Sequence, residues 1–225
     1  KVCGDWDDGG LWRNLFTHNW GTNNDLIIGT WDYLYGVIVQ CNQSIDKLVS
    51  LKEQDPENEY YEIYRSEVRA IRAMYYYYLL DMFARVPIVE SSLTQMADVK
   101  QSERTDVFNF VKKELEESIP LLENAKSAEN GEFYGRMTKA AAYFLMAKLA
   151  LNAEVYTDND WTDNVRPDGK NIKFTVDGQE MNCWEATVAY CDKVKACGYA
   201  LNLGTNGFLS NFVVNNDNTS VNFYR

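Results

Sequence analysis

The chain is poor in the residues on which most protein chemistry depends. It holds a single histidine, His18, in 225 residues. A Ser-His-Asp or Cys-His arrangement would have to recruit that one ring, and nothing near it resembles a nucleophile elbow or a nucleophilic-cysteine signature. Five cysteines, at 3, 41, 183, 191 and 197, contain no CxxC pair and have no histidine at ligand spacing. Neither a zinc site nor a complete disulfide framework is therefore specified. Cys191 and Cys197 would stand roughly 9 Å apart along a helix, beyond the reach of a bridge. With Cys41 they fall in apolar-periodic stretches, where each is expected as a small buried hydrophobe. There is no GxxxxGK[ST] phosphate loop, no GxGxxG turn between a strand and a helix, and no HExxH.

Positive charge is scarce as well. Lys and Arg number 22 against 33 Asp and Glu, a formal charge of −11. That balance repels a phosphate backbone, and no helix-period stretch carries a basic stripe, so no nucleic-acid partner is expected. No apolar run approaches the roughly 18 residues of a membrane-crossing helix. The opening KVCGDWDDGG has no charged start followed by an apolar stretch, so no export signal or anchor is visible in it. With 46% hydrophobic and 24% charged residues, the composition is that of a globular chain with a substantial core.

Helical periodicity is abundant. Between about Asn58 and Phe83, Tyr64, Val68, Ile71, Tyr75, Tyr78 and Met82 recur at three- and four-residue steps, and predict one helix face. Ile63, Ala70, Met74, Tyr77 and Leu80 make a second apolar flank, so this helix should be covered on more than one side. Val86-Pro87 stops it. Leu26 to Leu51 predicts an earlier helix through Trp31, Leu34, Tyr35, Ile38, Cys41, Ile45, Leu48 and Val49, with only Gly29 and Gly36 opposing. Thr105-Asp106 marks the start of a third, running through Phe108, Val111, Leu115 and Ile119 until Pro120 kinks it, with Glu114, Glu116, Glu117 and Glu123 expected in water. A fourth follows Thr138 as cap, its Ala140, Ala141, Ala147 and Ala150 permitting close approach at the centre of the fold. A fifth, Trp184 to Cys197, presents Trp184, Val188, Cys191 and Val194 and ends at Gly198. Ile172 to Val176, bounded by Pro167-Asp168-Gly169 and Asp177-Gly178, reads as a short strand in a surface hairpin or long loop. The fold expected is all-α, with tetratricopeptide-like antiparallel helix pairs, long loops and a small β-hairpin insertion.

The first and last 25 residues, rich in Gly, Asn and Asp, read as loops. Two acidic clusters, Asp5-Asp7-Asp8 and Asp158-Asp160-Asp163, have the hard oxygens calcium takes, but neither is an EF-hand, and solvated loop charge is the simpler reading. No cofactor is otherwise indicated. Four consecutive tyrosines, Tyr75 to Tyr78, point in four directions on a helix and read as packing contacts. The most distinctive feature is aromatic crowding at the start, where Trp6, Trp12, Phe16 and Trp20 sit among Asp7, Arg13, Asn14, Asn19, Asn23 and Asn24. A sugar ring stacks its C–H face on a tryptophan, while its hydroxyls need the donors and acceptors that amides supply. Trp6 and Trp12 are expected to anchor the loop. Trp20, followed by Gly21-Thr22-Asn23-Asn24, is the ring expected to stay open.

Four separated segments, in order, resemble the SusD/RagB family of surface glycan-binding lipoproteins of Bacteroidetes. GDWDDGGLWRNLFTHNW is similar to its early DW-x-DGG-x-W loop, and WDYLYGVIVQCNQSID to its W-x-x-x-Y-x-x-I-x-x-CN helix. EVRAIRAMYYYYLLDMFARVPIV resembles its E-x-R-(A/F)-x-RA segment ending in G-x-VP, with Ala84-Arg85 in place of the usual glycine step. GRMTKAAAYFLMAKLALNAEVY resembles its GR-x-(T/S)-x-x-AA helix. The resemblance implies an all-helical body bearing a glycan site and contacting a SusC-like TonB-dependent outer-membrane transporter. It implies no bond cleavage, and a cell-surface, outer-membrane location through a lipid anchor outside this chain. Family members are about twice as long, so residues 1–225 are expected to be one incomplete SusD-like helical domain, lacking the family's N-terminal anchor region and C-terminal half. Within it, 1–25 would be the ligand-facing loop region, 26–200 the helical body and 157–182 the loop or hairpin insertion. Carried onto this chain, the glycan-binding residues are Trp20 as stacking platform, with Asn23 and Asn24 as hydroxyl partners. The rival readings are a tetratricopeptide-like protein-binding scaffold and a glycoside hydrolase.

Overall fold

Residues 8–127 and 129–201 are described by the computed structural model. The expectations for Cys3, Asp5, Trp6, Asp7 and residues 202–225 lie outside the described residues. A 3-10 turn, Asp8–Gly10, leads into α1 (Leu11–Phe16). Two long helices follow, α2 (Asp25–Gln54) and α3 (Tyr60–Phe83), then α4 (Arg104–Ser118), α5 (Lys139–Leu151) and the single turn α6 (Ala153–Tyr156). The antiparallel hairpin β1 (Lys173–Val176) and β2 (Gln179–Asn182) precedes α7 (Cys183–Ala196). The architecture is the expected all-α one with a small β-hairpin: α3 packs between α2 and α4, and α7 packs on α5 and β1.

α2 begins where Asn24 accepts hydrogen bonds from the Leu26 and Ile27 amides at 3.0 and 3.3 Å. It runs through Gly29 and Gly36 because Leu34, Ile38, Cys41 and Ile45, at helical spacing, are all buried. In α3 the second of the two expected apolar flanks is the deeper one, with its Ala70, Tyr77 and Leu80 buried. Tyr64 and Met82 are exposed, while Ala70, Ala73, Tyr76, Tyr77, Leu79 and Leu80 are buried. Both flanks carry apolar residues at helical spacing, so spacing did not rank them. The small Ala70 and Ala73 let neighbouring helices come close. The tyrosine run divides as packing requires, with Tyr76 and Tyr77 buried and Tyr75 and Tyr78 half-buried.

α4 starts at a capping box of Glu103 and Asp106, and Pro120 turns its end into a 3-10 turn, Ile119–Leu121. Glu116, Glu117 and Glu123 face water as expected, but Glu114 does not. It is 2% exposed and takes Arg69 on one oxygen (Nη2, 2.6 Å) and Arg72 on the other (Nη2, 2.6 Å; Nε, 3.1 Å). Arg72, itself buried, also donates to Asn42 Oδ1 and to the Glu90 carbonyl, both at 2.8 Å. A buried carboxylate is tolerable only when its oxygens are satisfied, and these two arginines satisfy them. The same region zips residues 87–92 onto α2 and α3. Tyr35 donates to Pro87 O, Asn42 to Val89 O, the Val89 amide to Tyr76, and Ser91 and Ser92 to Asp46. Asn42, Asp46, Arg69 and Arg72 are in this way structural, and Arg136 likewise pairs with Glu67.

Thr138 does precede α5, but its hydroxyl makes no capping bond and is buried without a partner among the described residues. The alanine-rich helix is central as expected, with Ala140, Ala147 and Ala150 buried, but Ala141 is only half-buried and Ala142 is the fourth buried alanine. β1 turns at Asp177-Gly178, both at positive φ (51° and 78°), the backbone of a tight hairpin. Its Phe174 and Val176 are buried, and Phe174 meets Phe108 and Tyr190 edge-on, so the hairpin is a core element rather than a surface appendage. α7 buries Cys183, Ala186 and Tyr190, leaving Trp184, Val188 and Cys191 exposed, a face opposite to the one expected. Cys41 is buried and Cys197 half-buried; Cys191 is a surface thiol.

Candidate functional site

The segment from Gly9 to Asp25 is built to fold back on itself. Gly9 and Gly10 both take positive φ (67° and 90°), which glycine adopts without penalty, and launch the six residues of α1. This corrects the expectation of a plain loop. Thr17 closes α1 through its hydroxyl on Arg13 O at 2.9 Å, and the Asn19 amide returns to Asn14 O at 2.8 Å. His18, at φ 54°, makes the reversal. The Asn24 amide bonds Gly21 O at 3.2 Å, and Asn24 then caps α2.

The folded segment encloses a cleft of about 540 Å³, lined by Gly9, Asn14, Asn19, Trp20, Asn23 and Asp25 among others. Trp20 is 46% exposed, and its ring is steadied by His18, 5.2 Å away and tilted by 42°. The side chains of Asn14, Asn19 and Asn23 make no hydrogen bond to another described residue, so their amides are open to a ligand. Asn24 is placed differently. Its amide oxygen holds Leu26 and Ile27, which leaves only its NH2 group for the cleft. Of the three residues expected to bind, Trp20 and Asn23 line the cleft with ring and amide available, and Asn24 does so while capping a helix. Asn14 and Asn19 were conspicuous in sequence only as neighbours of the aromatics; the backbone reversal at His18 brings them in. Trp12 is 38% exposed and does not line the cleft.

Chemically, the cleft offers an aromatic face beside several neutral donors and acceptors. Among the described residues lining it, Asp25 is the one carboxylate, so the carboxyl pair of a glycoside hydrolase is not presented there. The second acidic cluster serves its own loop. Asp158 pairs with Arg166 at 3.2 Å, Asp160 accepts from the Thr162 amide and hydroxyl, and Asp163 accepts from the Val165 amide. Among the described residues no three of His, Cys, Asp and Glu stand together as a metal ion requires. No helix is long and apolar enough to cross a membrane among them either.

Residues 6–151 match the SusD-like family described as starch-binding and associating with the outer membrane. The chain is 34% identical over 120 residues to the starch-binding protein SusD of Bacteroides thetaiotaomicron, a match covering 53% of this chain and 20% of that protein. Its fold is similar to a SusD-like carbohydrate-binding protein of Bacteroides fragilis, with a TM-score of 0.61 and 22% identity over 83% of this chain and 30% of the other. It is also similar to surface glycan-binding protein A of Bacteroides uniformis, with a TM-score of 0.56 and 28% identity over 66% of this chain and 33% of the other. The chain thus spans about a fifth to a third of the length of these relatives. From the matched span, the helical architecture and the segments that carry the likeness, the chain belongs to the SusD-like family.

Proposed function

We propose that this chain is part of a non-catalytic surface protein that captures oligo- or polysaccharide for import through a SusC-like TonB-dependent transporter, held at the outer membrane by a lipid anchor. The observation that carries the reading is Trp20, an exposed indole on the wall of a cleft whose Asn14, Asn19 and Asn23 amides are unengaged. A pyranose laid on Trp20 exchanges apolar ring contact for water, and its hydroxyls meet the amides. Sequestering ligand beside a transporter requires only moderate affinity, which stacking and a few hydrogen bonds supply.

The test is calorimetric titration of the protein against plant, host and microbial glycans, with Trp20→Ala alongside. The expected result is saturable binding to one glycan class, no product by chromatography, and a loss of at least about tenfold in affinity in the variant, the scale of one stacked ring. Binding that survives Trp20→Ala would sink the site assignment. Silence across the panel, together with retained binding to a transporter, would favour a protein-binding scaffold. Turnover abolished by removing a carboxylate would make the protein a glycosidase.

A further inference from the structure

A second cleft, of about 450 Å³, lies where α4, α5, the hairpin and α7 meet, and it shares no residue with the Trp20 cleft. Its volume is within the roughly 300–1,000 Å³ of small-molecule pockets. Three lysines, Lys112, Lys139 and Lys193, line it against two carboxylates, Glu116 and Asp177. A local excess of positive charge is notable in a chain of formal charge −11.

Two of the lysines are already held. Lys193 pairs with both Asp177 oxygens at 2.6 and 2.8 Å and lies over the Tyr143 ring. Lys112 donates to the Lys173 carbonyl at 3.1 Å, lies over the Phe174 ring and stands 3.6 Å from Glu116. The Lys139 ammonium has no hydrogen-bond or ion-pair partner among the described residues. It is also the first residue of α5, a helix of 13 residues with no acid in its first turn. A cation at the positive end of a helix is unfavourable by itself, and an anion on the Lys139 ammonium offsets that; the Lys139 amide is already taken by the Glu123 carbonyl at 3.0 Å, so the ammonium is the group that meets the anion.

The floor of the cleft is aromatic. Tyr190 is 4% exposed, and its hydroxyl, though it borders the cleft, has no hydrogen-bond partner among the described residues. Tyr143 is stacked beside it at 6.3 Å and 29°, its hydroxyl likewise unbonded. Neither hydroxyl is sealed from solvent, so the donors and acceptors of both are open, through the cleft, to a ligand with hydrogen-bonding oxygens.

We infer that this cleft is a second ligand site, for a hydroxylated ring bearing a single negative charge, of the uronic-acid class. Its carboxylate sits on Lys139, and its ring oxygens and hydroxyls meet Tyr143 and Tyr190. Glu116 accepts from a sugar hydroxyl. This site stands apart from the Trp20 cleft, and its test is arranged to succeed or fail without it.

Titrate the protein with D-glucuronate and follow amide shifts by NMR, with D-glucose as the same ring without charge and acetate and inorganic phosphate as charge without the ring. Saturable glucuronate shifts centred on Lys139, Tyr143 and Tyr190 are expected, with each control at least about tenfold weaker. Lys139→Gln should weaken glucuronate about tenfold and Tyr190→Phe severalfold, both with unchanged circular dichroism, while Trp20→Ala leaves it untouched. Equal responses to acetate or phosphate would overturn the saccharide assignment in favour of a general anion site. Absence of shifts at Lys139, or binding unaltered by both variants, would overturn the site itself.

Discussion

Glu114→Ala probes the ion network between α3 and α4 most directly. Glu114 is 2% exposed and Arg72 3% exposed, and the substitution removes the one carboxylate that, among the described residues, bonds the Arg72 guanidinium. Asn42 Oδ1 and the Glu90 carbonyl remain as neutral acceptors. Arg69 suffers less, because it is partly exposed and keeps Glu117 at 2.5 Å. Leaving a buried charge without its partner costs about 3–5 kcal/mol. That is a large share of the roughly 5–15 kcal/mol by which domains are stable. With a urea m-value of about 2–3 kcal/mol/M, the unfolding midpoint should fall by roughly 1–2.5 M with little change in slope. Glu114→Gln, which keeps the shape and one acceptor oxygen, should cost less than the alanine. A double-mutant cycle adds a sharper criterion: Glu114 should couple more strongly to Arg72 than to Arg69, because only Arg72 is fully desolvated. A loss below about 1 kcal/mol for Glu114→Ala, or equal couplings, would refute the reasoning.

Two further outcomes follow from the local geometry. Ala84 has φ 62° and ψ −76°, and the Arg85 amide bonds Phe83 O at 2.8 Å. This is the strained γ-turn that a Cβ disfavours, so Ala84→Gly should raise stability by about 1 kcal/mol despite glycine's greater unfolded freedom, and a lowered melting temperature would contradict it. Partial desolvation at the cleft wall, on a side chain that still reaches water, pushes the Glu116 carboxyl above its ordinary 4.5, against the pull of Lys112. A folded-state value above the unfolded one favours folding at acid pH, and that contribution is lost as pH rises through the folded value. Glu116→Gln should therefore stabilise the protein at pH 7 and have little effect near pH 3; thermal melts showing equal effects at both pH values would refute it.

Much of this protein was legible in its residue order. Periodicity located α2, α3, α4, α5 and α7, because a helix that buries apolar side chains must repeat them every three or four residues whatever it packs against. Asp177-Gly178 announced the hairpin turn, since that conformation needs residues that tolerate positive φ. Trp20 among its asparagines was visible for the same reason: ring and amide are properties of the residues themselves. What the chain order left open was which groups meet. α3 and α7 carry apolar residues on several flanks, so only the packing of neighbouring helices decided that Ala73 and Tyr190 face inward while Tyr64 and Val188 do not. Glu114 looks like any helix-surface acid until the fold brings Arg69 and Arg72 to it from 45 and 42 positions away. Asn24 and Asn23 are the same amide one residue apart, yet a helix start claims the oxygen of one and leaves the other to solvent. The Lys139 ammonium and the Tyr190 hydroxyl, both without a hydrogen-bond partner among the described residues, line one cleft only because α5 and α7 are adjacent. Local chemistry is written residue by residue, but burial, pairing and vacancy are relations across the fold, and they exist only once the chain has closed on itself.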